Sequence, residues 1–263
     1  MGFKKAVAVN LSRLFKNHIY TSRHGLAKGL RRKGGLAFLP SFIPRSTEMF
    51  KEEVFIEALD LSGKTVYDIG GDQGIYTLFF ARKVGEEGKV ITFEPNPVSQ
   101  AHIVTNVELN GFKHVEVFNV ALGEKPGKLT FAFPAKDPGR GSADELIREQ
   151  ILKEPGSRTT EVDVDALDSL ISSAGLSKPD FAKIDVEGLE LKVLRGMPST
   201  LQDHRPQLFI EIHGADLDAK QKNIREVATF LLDLNYKIHH VESNQEITHS
   251  NMDEAREGHI YCT

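Results

Sequence analysis

Asp68-Ile-Gly-Gly-Asp-Gln-Gly74 lies where the short apolar run Thr65-Val-Tyr-Asp-Ile69 gives way to the helical run Tyr76 to Val84. The first run reads as a buried strand and the second as a helix, so the glycines occupy the turn of a βα unit. In an open α/β sheet that turn sits at the edge where ligands bind. Glycine lets the chain turn sharply and approach a ligand, and free N–H groups at a helix start favour a carboxylate or phosphate. Glu94 ends the next strand, Lys89 to Phe93, and stands twenty residues after Gly74. An acid in that place can accept hydrogen bonds from both hydroxyls of a ribose, so the expected ligand contains a nucleoside. The spacing D-x-G-G-x-x-G departs from the dinucleotide pattern G-x-G-x-x-G, and a carboxylate at Asp72 would repel a pyrophosphate. A ligand that carries positive charge suits this turn better.

Working outward, Met49 to Leu59 fits a helix ended by the turn Asp60 to Gly63. Downstream of Glu94-Pro-Asn-Pro97 come a helix from about Ser99 to Asn110 and a strand from Val115 to Asn119. A fourth unit pairs the strand Asp180 to Asp185 with the helix Leu189 to Arg195, and a fifth pairs Gln207 to Ile212 with Leu217 to Leu234. Such alternation predicts an α/β fold with a mainly parallel sheet and helices on both faces. An insertion at about Gly123 to Ala174 interrupts it, with a hairpin strand at Lys128 to Phe133 and a polar stretch at Lys136 to Ser142 that suit the wall of a substrate pocket. Tyr236 to Val241 and His259 to Cys262 read as two strands joined by a turn around Glu242 to Glu246. Residues 1–48 read as an extension: Val7, Leu11, Leu14 and Phe15 recur at helical spacing, and a loop rich in Gly and Pro follows from Gly25 to Pro44. The main domain is expected over 49–263.

Composition narrows the function classes. A length of 263 residues with 40% hydrophobic content supports one large core. No apolar run approaches the roughly eighteen residues that span a bilayer. Cys262 is the single cysteine and has no partner in the chain, so a soluble, reducing, cytoplasmic setting is expected. The net charge of −4 hides an asymmetry, because Met1 to Thr47 holds ten Lys/Arg and no Asp/Glu, which leaves −14 for the rest. This arm reads as a solvated basic face, or as a contact to an anionic membrane surface or lipid-linked acceptor. No aromatics interleave with its basic residues in the manner of a nucleic-acid platform, so no nucleic acid is expected as partner. Without a G-x-S-x-G elbow or a Walker loop, hydrolase and NTPase chemistry have no carrier.

The turn DIGGDQGIYTLFFARKVG, the strand end FEPNP, the later VALGEKPG, and the pair KIDVEGLELKVLRG and FIEIHG occur in this order. Together they resemble the FkbM family of methyltransferases, over about Lys64 to Gly214. The resemblance implies a class I, Rossmann-like methyltransferase fold: a seven-stranded, mainly parallel sheet with an antiparallel C-terminal hairpin strand. It also implies S-adenosylmethionine as methyl donor and usually a sugar or polyketide hydroxyl as acceptor, hence a small-molecule or glycan partner. Carried over by position, Asp68, Gly70, Gly71 and Gly74 would hold the methionine end, Glu94 the ribose, and Asn119, Ala121 and Leu122 would border the adenine. Asp72, Thr77, Pro95, Asn96 and Asp185 complete the expected cofactor set. Asp72 stands where the family more often has Asn.

Methyl transfer from a sulfonium is an in-line displacement with a neutral leaving group, so the protein must position the acceptor and remove its proton. A hydroxyl calls for a base or a metal at its oxygen. Asp185, at the carboxyl end of the fourth strand, ranks first. Lys183 lies two residues before it and points the same way, and Glu187 and Glu190 open the next helix. Glu211 and His213 share the same i,i+2 relation on the following strand, and an imidazole titrates near neutrality, which suits a proton acceptor. The expected catalytic set is therefore Asp185, His213, Glu211, Lys183 and Glu187. Asp185, Glu211 and His213 also make a workable ligand set for a divalent metal.

Plainer roles compete with these. Asp185 or Glu187 could cap the helix that begins near Gly188, and Lys183 could simply hold a buried acid. The other histidines, His240 and His259 among them, read as structural, and Arg140, Ser142 and Arg148 as solvated loop residues. Competing functions are an N-methyltransferase, for which an N/D-P-P-Y motif is missing, a dehydrogenase, and a non-catalytic nucleoside-binding module.

Overall fold

The computed structural model describes residues 17–34, 50–134 and 141–263. The helix expected around Val7 to Phe15, the end of the Gly/Pro-rich loop, Met49, and Arg140 with most of the polar stretch Lys136 to Ser142 lie outside the described residues.

Five strands form the parallel heart of the sheet: β3 (Thr65–Ile69), β4 (Lys89–Phe93), β5 (Val115–Phe118), β9 (Phe181–Ile184) and β10 (Gln207–Glu211). They stand in the order β5-β4-β3-β9-β10, so β3, which carries the glycine turn, lies between β4 and β9. Helices cover both faces, and their ends follow from the sequence. Helix α2 (Ile75–Val84) starts at Gly74, whose φ of 80° is left-handed, and stops at Gly85. Helix α3 (Pro97–Leu109) has proline at its first position and Asn96 as its cap, whose side chain accepts from the Val98 amide. Helix α7 (Leu217–Asp233) is capped by Asp216 and buries Ile224, Val227, Ala228 and Leu231, the i, i+3, i+4, i+7 stripe of an amphipathic helix.

Beyond β10 the sheet continues through β13 (His259–Cys262), β11 (Ile238–His240) and β12 (Gln245–Ile247). β13 runs antiparallel to β10 and to β11, as the fold requires. The sheet therefore has eight strands rather than seven. The extra one, β12, overlaps the end of the stretch read as a turn, and its three residues pair with β11 at the edge. A short 3₁₀ turn, Met252–Ala255, then separates it from β13.

The insertion is more ordered than its sequence suggests. β7 (Gly127–Phe133) pairs antiparallel with β8 (Arg158–Asp165), and β6 (Ala121–Leu122) pairs parallel with β8, giving a second, three-stranded sheet. Helix α4 (Glu145–Leu152) packs on β7, and Leu167 of α5 (Leu167–Ala174) is fully buried in the main core. At the other end of the chain, β1 (Ile19–Thr21) and β2 (Arg31–Lys33) form a hairpin on α3, with Leu30 packed among Leu78, Ile103 and Val107. Helix α1 (Lys51–Ala58) buries Ile56 beside Leu61. Among the described residues no helix is long and apolar enough to cross a membrane.

Candidate active site

The carboxyl edges of β3, β4 and β9 open into a cavity of about 210 Å³. Gly70, Asp72, Glu94 and Pro95 form one wall, and Asp185, Val186, Glu187 and Leu189 the opposite one. Val120, Ala121 and Leu122 close one end, and Phe131, Gly141 and Ala143 of the insertion supply the roof.

The first wall is set by close approach of backbone. Gly70 has φ 85°, and a Cβ there would overlap the carbonyl oxygen of Asp185 on the neighbouring strand. A Cβ on Gly71 would press into Thr92 and Ile103. Asp72 takes the left-handed conformation at φ 46°. Its amide donates to Glu94 Oε2 at 2.8 Å, and the Asn96 amide donates to Oε1 at 2.7 Å, so the Glu94 carboxylate is fastened to the glycine turn. Burial pushes the Glu94 carboxyl up to about 8, against the effect of those two amides.

Several expected cofactor residues stand behind this wall. Asp68 is fully buried and accepts from Thr77 Oγ1 at 2.6 Å; burial raises its pKa although Lys183 pulls the other way. Thr77 receives a further hydrogen bond from Thr92 Oγ1. Asn119 donates to the Glu94 and Pro95 carbonyls at 2.8 and 3.0 Å and so braces the strand end rather than lining the cavity. Gly71, Gly74 and Asn96 likewise shape the turn without facing the space.

The second wall is backed by a charge cluster, of which Asp185 and Glu187 reach the cavity. Lys183 Nζ donates to Asp185 Oδ2 at 2.9 Å, lies 3.8 Å from Asp68 and sits over the Tyr76 ring. Burial opposes its charge, but Asp185 and Asp68 hold it well above the ordinary lysine value. Its contacts are those of a cation anchored between two acids. His213 Nε2 faces Asp185 Oδ1 at 3.7 Å, Glu187 Oε2 at 3.9 Å and Glu211 Oε1 at 3.4 Å, while Nδ1 meets Glu190 Oε1 at 3.1 Å. Glu190 is itself fully buried and accepts from the Gly188 amide and from Asn223 Nδ2.

These neighbours decide the protonation of His213. Burial disfavours its charge, but hydrogen bonds to Glu190 and Glu211 and the Asp185 charge outweigh it and push the imidazole up to about 12. The cluster thus makes His213 an imidazolium at neutral pH, not the free base that an unperturbed histidine offers. Glu187 moves to about 7, first through burial, with His213 opposing and Asp185, Glu211 and Glu190 adding to the rise. It sits at φ 51°, and its carbonyl accepts from Ser142 Oγ at 2.7 Å, so a buried hydroxyl of the insertion holds a strained residue in place. Neither Asp185 nor Glu187 caps helix α6 (Glu190–Arg195), whose N-cap, Leu189, has no side-chain hydrogen bond.

A second layer escaped the sequence reading. Glu211 Oε2 lies 3.5 Å from His259 Nε2, His259 Nδ1 lies 2.7 Å from Glu242, and Glu242 lies 3.1 Å from His240. His259, stacked on Phe209, is pushed up to about 9: burial opposes the proton, and Glu211 and Glu242 secure it. The spacing of these residues carries no motif, and their proximity depends on how β10, β11 and β13 pair.

A family model, the Methyltransferase FkbM domain, matches residues 68–238. The chain belongs to this family. The matched region contains both walls, from Asp68 to His213. Hexuronic acid methyltransferase AglP of Haloferax volcanii is 28% identical over 155 residues, which cover 59% of this chain and 58% of AglP. 2-O-methyltransferase NoeI of Sinorhizobium fredii is 25% identical over 187 residues, 67% of this chain and 74% of NoeI. The crystal structure of Methyltransferase FkbM from Methylobacillus flagellatus superposes with a TM-score of 0.51 at 18% identity, covering 79% of this chain and 45% of that one. That likeness concerns the fold. The chain is thus a class I methyltransferase by fold and family.

Proposed function

We propose that the protein is an S-adenosylmethionine-dependent O-methyltransferase whose acceptor is a hydroxyl of a saccharide or a similarly hydroxylated metabolite. One observation carries the reading: an acid tied to the glycine turn, Glu94, and two carboxylates of the charge cluster, Asp185 and Glu187, line a single cavity. S-adenosylmethionine supplies an electrophilic methyl group on a sulfonium, whose departure leaves a neutral thioether. Glu94 accepts from the ribose hydroxyls, and the apolar end around Val120 to Leu122 accommodates a flat base. Asp185 and Glu187 hold the acceptor hydroxyl and take its proton, with Glu187 raised into the range that suits a base at neutral pH. Lys183 and His213⁺ keep the cluster from repelling itself apart. A saccharide acceptor is favoured by the similarity to AglP, a hexuronic acid methyltransferase, and transfer to oxygen by the similarity to NoeI.

A second reading of the same wall is favoured by its spacing. Glu211 Oε1 and Asp185 Oδ1 lie 3.4 and 3.7 Å from His213 Nε2. Ligands about 2.0–2.2 Å from a tetrahedral metal are separated by roughly 3.3–3.6 Å. Asp185, Glu211 and His213, the last with the cation in place of its Nε2 proton, would hold such a divalent cation, with Glu190 fixing the imidazole from behind, and it would supply polarisation of the acceptor oxygen.

Incubation of the protein with methyl-¹³C-labelled donor and a panel of glycans and hydroxylated metabolites tests the proposal. The expected product carries the label as a methyl ether, and a Glu94→Ala control yields markedly less at subsaturating donor. Label on nitrogen would replace the O-transfer reading, and failure of the wild type to bind S-adenosylhomocysteine would remove the donor.

A further inference from the structure

The Gly70–Gly74 turn has little left to offer a ligand carboxylate. The Gly70 and Gly71 amides donate to the Phe93 carbonyl, the Asp72 amide to Glu94, and the Gly74 amide to the Gly71 carbonyl. Lys183 is committed to Asp185, Asp68 and the Gly70 carbonyl. Yet the donor proposed above ends in an amino acid, whose carboxylate requires a cationic or N–H partner. Around the cavity itself, acids prevail.

One buried cation near this turn keeps a donor unmatched among the described residues. Arg32, in the middle of β2, is 5% exposed, and its Nε has no hydrogen-bond partner among the described residues. Leaving a guanidinium N–H buried and unpaired is costly, which marks the position as built to receive an acceptor. The hairpin that carries it is fastened to the same turn. The Lys33 amide donates to Asn106 Oδ1 at 2.8 Å, and Asn106 Nδ2 donates to the Gln73 carbonyl at 3.3 Å. Ile103, one turn earlier on the helix, packs under both Gly71 and Gly74 and beside Leu30 of the hairpin. Electrostatics agree with this placement: burial lowers the Arg32 pKa, and Tyr20 and Asp72 pull against it. The charges of Arg32 and Lys33 add to burial in lowering His102 on the same helix.

We propose that Arg32, outside the region matched by the FkbM model, is a cofactor-binding residue that pairs with the α-carboxylate of the methionine moiety, while Asp72 faces the α-ammonium. This rests on the S-adenosylmethionine reading above. Residues 17–34 then belong to the binding site, and the zwitterionic end of the cofactor meets one charge of each sign.

The test is calorimetric titration of the full chain with S-adenosylhomocysteine and with 5′-methylthioadenosine, which has the same nucleoside thioether but no amino-acid end. Arg32→Gln is expected to weaken S-adenosylhomocysteine binding about 10- to 100-fold, the loss of one charge-assisted contact, and to leave 5′-methylthioadenosine within about twofold. Arg32→Lys should recover part of the loss, since it keeps the charge without the planar fork. Equal weakening of both ligands by Arg32→Gln, or no change in either, would overturn the assignment and make Arg32 a structural partner of Asp72. Failure of the wild type to bind either ligand would overturn the donor reading together with it.

Discussion

The two walls of the cavity are made of different material. At Gly70 to Gly74 the shape comes from backbone against backbone, with one carboxylate, Glu94, clipped to it by the Asp72 amide and steadied by the Asn96 amide. At Asp185 and Glu187 the lining is side-chain charge: behind it these two, Glu190 and Glu211 converge on one imidazole, and a buried lysine braces Asp185. A backbone wall is rigid and tolerates almost no added atom. A charge wall can accept isosteric changes yet loses its chemistry with each proton that moves. The two should therefore break differently.

The largest effect is expected at Gly70. Alanine there would have to hold φ near 85° and also clear the Asp185 carbonyl oxygen. Strain and overlap together should cost about 3 kcal/mol or more. Denaturant unfolding would show it as a lowered midpoint, accompanied by loss of S-adenosylhomocysteine binding. Wild-type stability in Gly70→Ala would mean that the two strand ends can separate freely.

On the charge wall, Asp185→Asn and Glu187→Gln preserve volume. Each should lower turnover by roughly 10²- to 10⁴-fold, the usual worth of a positioned base, while S-adenosylhomocysteine affinity changes only a few-fold. Steady-state rates set beside calorimetry separate the two quantities. Exhaustive chelation sharpens the comparison further. Turnover that vanishes with chelator and returns with a divalent cation selects the metal reading of Asp185, Glu211 and His213, whereas unchanged turnover selects the carboxylate base. Glu94→Ala, back on the first wall, should do the reverse of the base variants: affinity falls about 10- to 100-fold because two ribose contacts go together.

The same division explains what could be read in the sequence. The backbone wall was legible, because glycines at a strand-to-helix junction and an acid one strand later leave a fixed pattern. The alternation of β and α runs gave the parallel core for a similar reason. Elements whose residues lack the pattern of their class stayed hidden. Arg31–Lys33 is a strand made only of cations, stabilised by pairing with Ile19–Thr21. Arg158–Asp165 is exposed along its first half, so no apolar alternation marks it. Gln245–Ile247 is three residues at an edge. For the charge wall, i,i+2 spacing placed Asp185 and His213 at their strand ends but could not set the protonation of the imidazole. That depends on Glu190, which reaches His213 Nδ1 from the start of the helix after Asp185. Phe131 and Ala143 looked like ordinary hairpin and loop residues, and only the folding of the insertion over the sheet edge brings them to the cavity.

The smallest effect concerns the layer behind the charge wall, and its sign follows from linkage. His259 is raised in the folded protein to about 9 from an ordinary value of 6.5, so its protonated form stabilises the fold. That contribution is complete below about pH 6.5 and is lost as pH rises through 9. The wild-type unfolding free energy should carry a falling component over this interval, with a slope of at most about 1.4 kcal/mol per pH unit. His259→Gln removes the titrating group while leaving Glu242 its contact with His240. Its stability deficit should therefore be widest at pH 6 and narrow by pH 9. His213, held protonated well above this window, titrates alike in both proteins and cancels, whereas His240, also raised through Glu242, shares the outer layer, so the narrowing reports on the His259–Glu242–His240 layer. A deficit that stays constant from pH 6 to 9 would place a neutral imidazole between Glu211 and Glu242, and the outer layer would then be a packing feature instead of an extension of the charged wall.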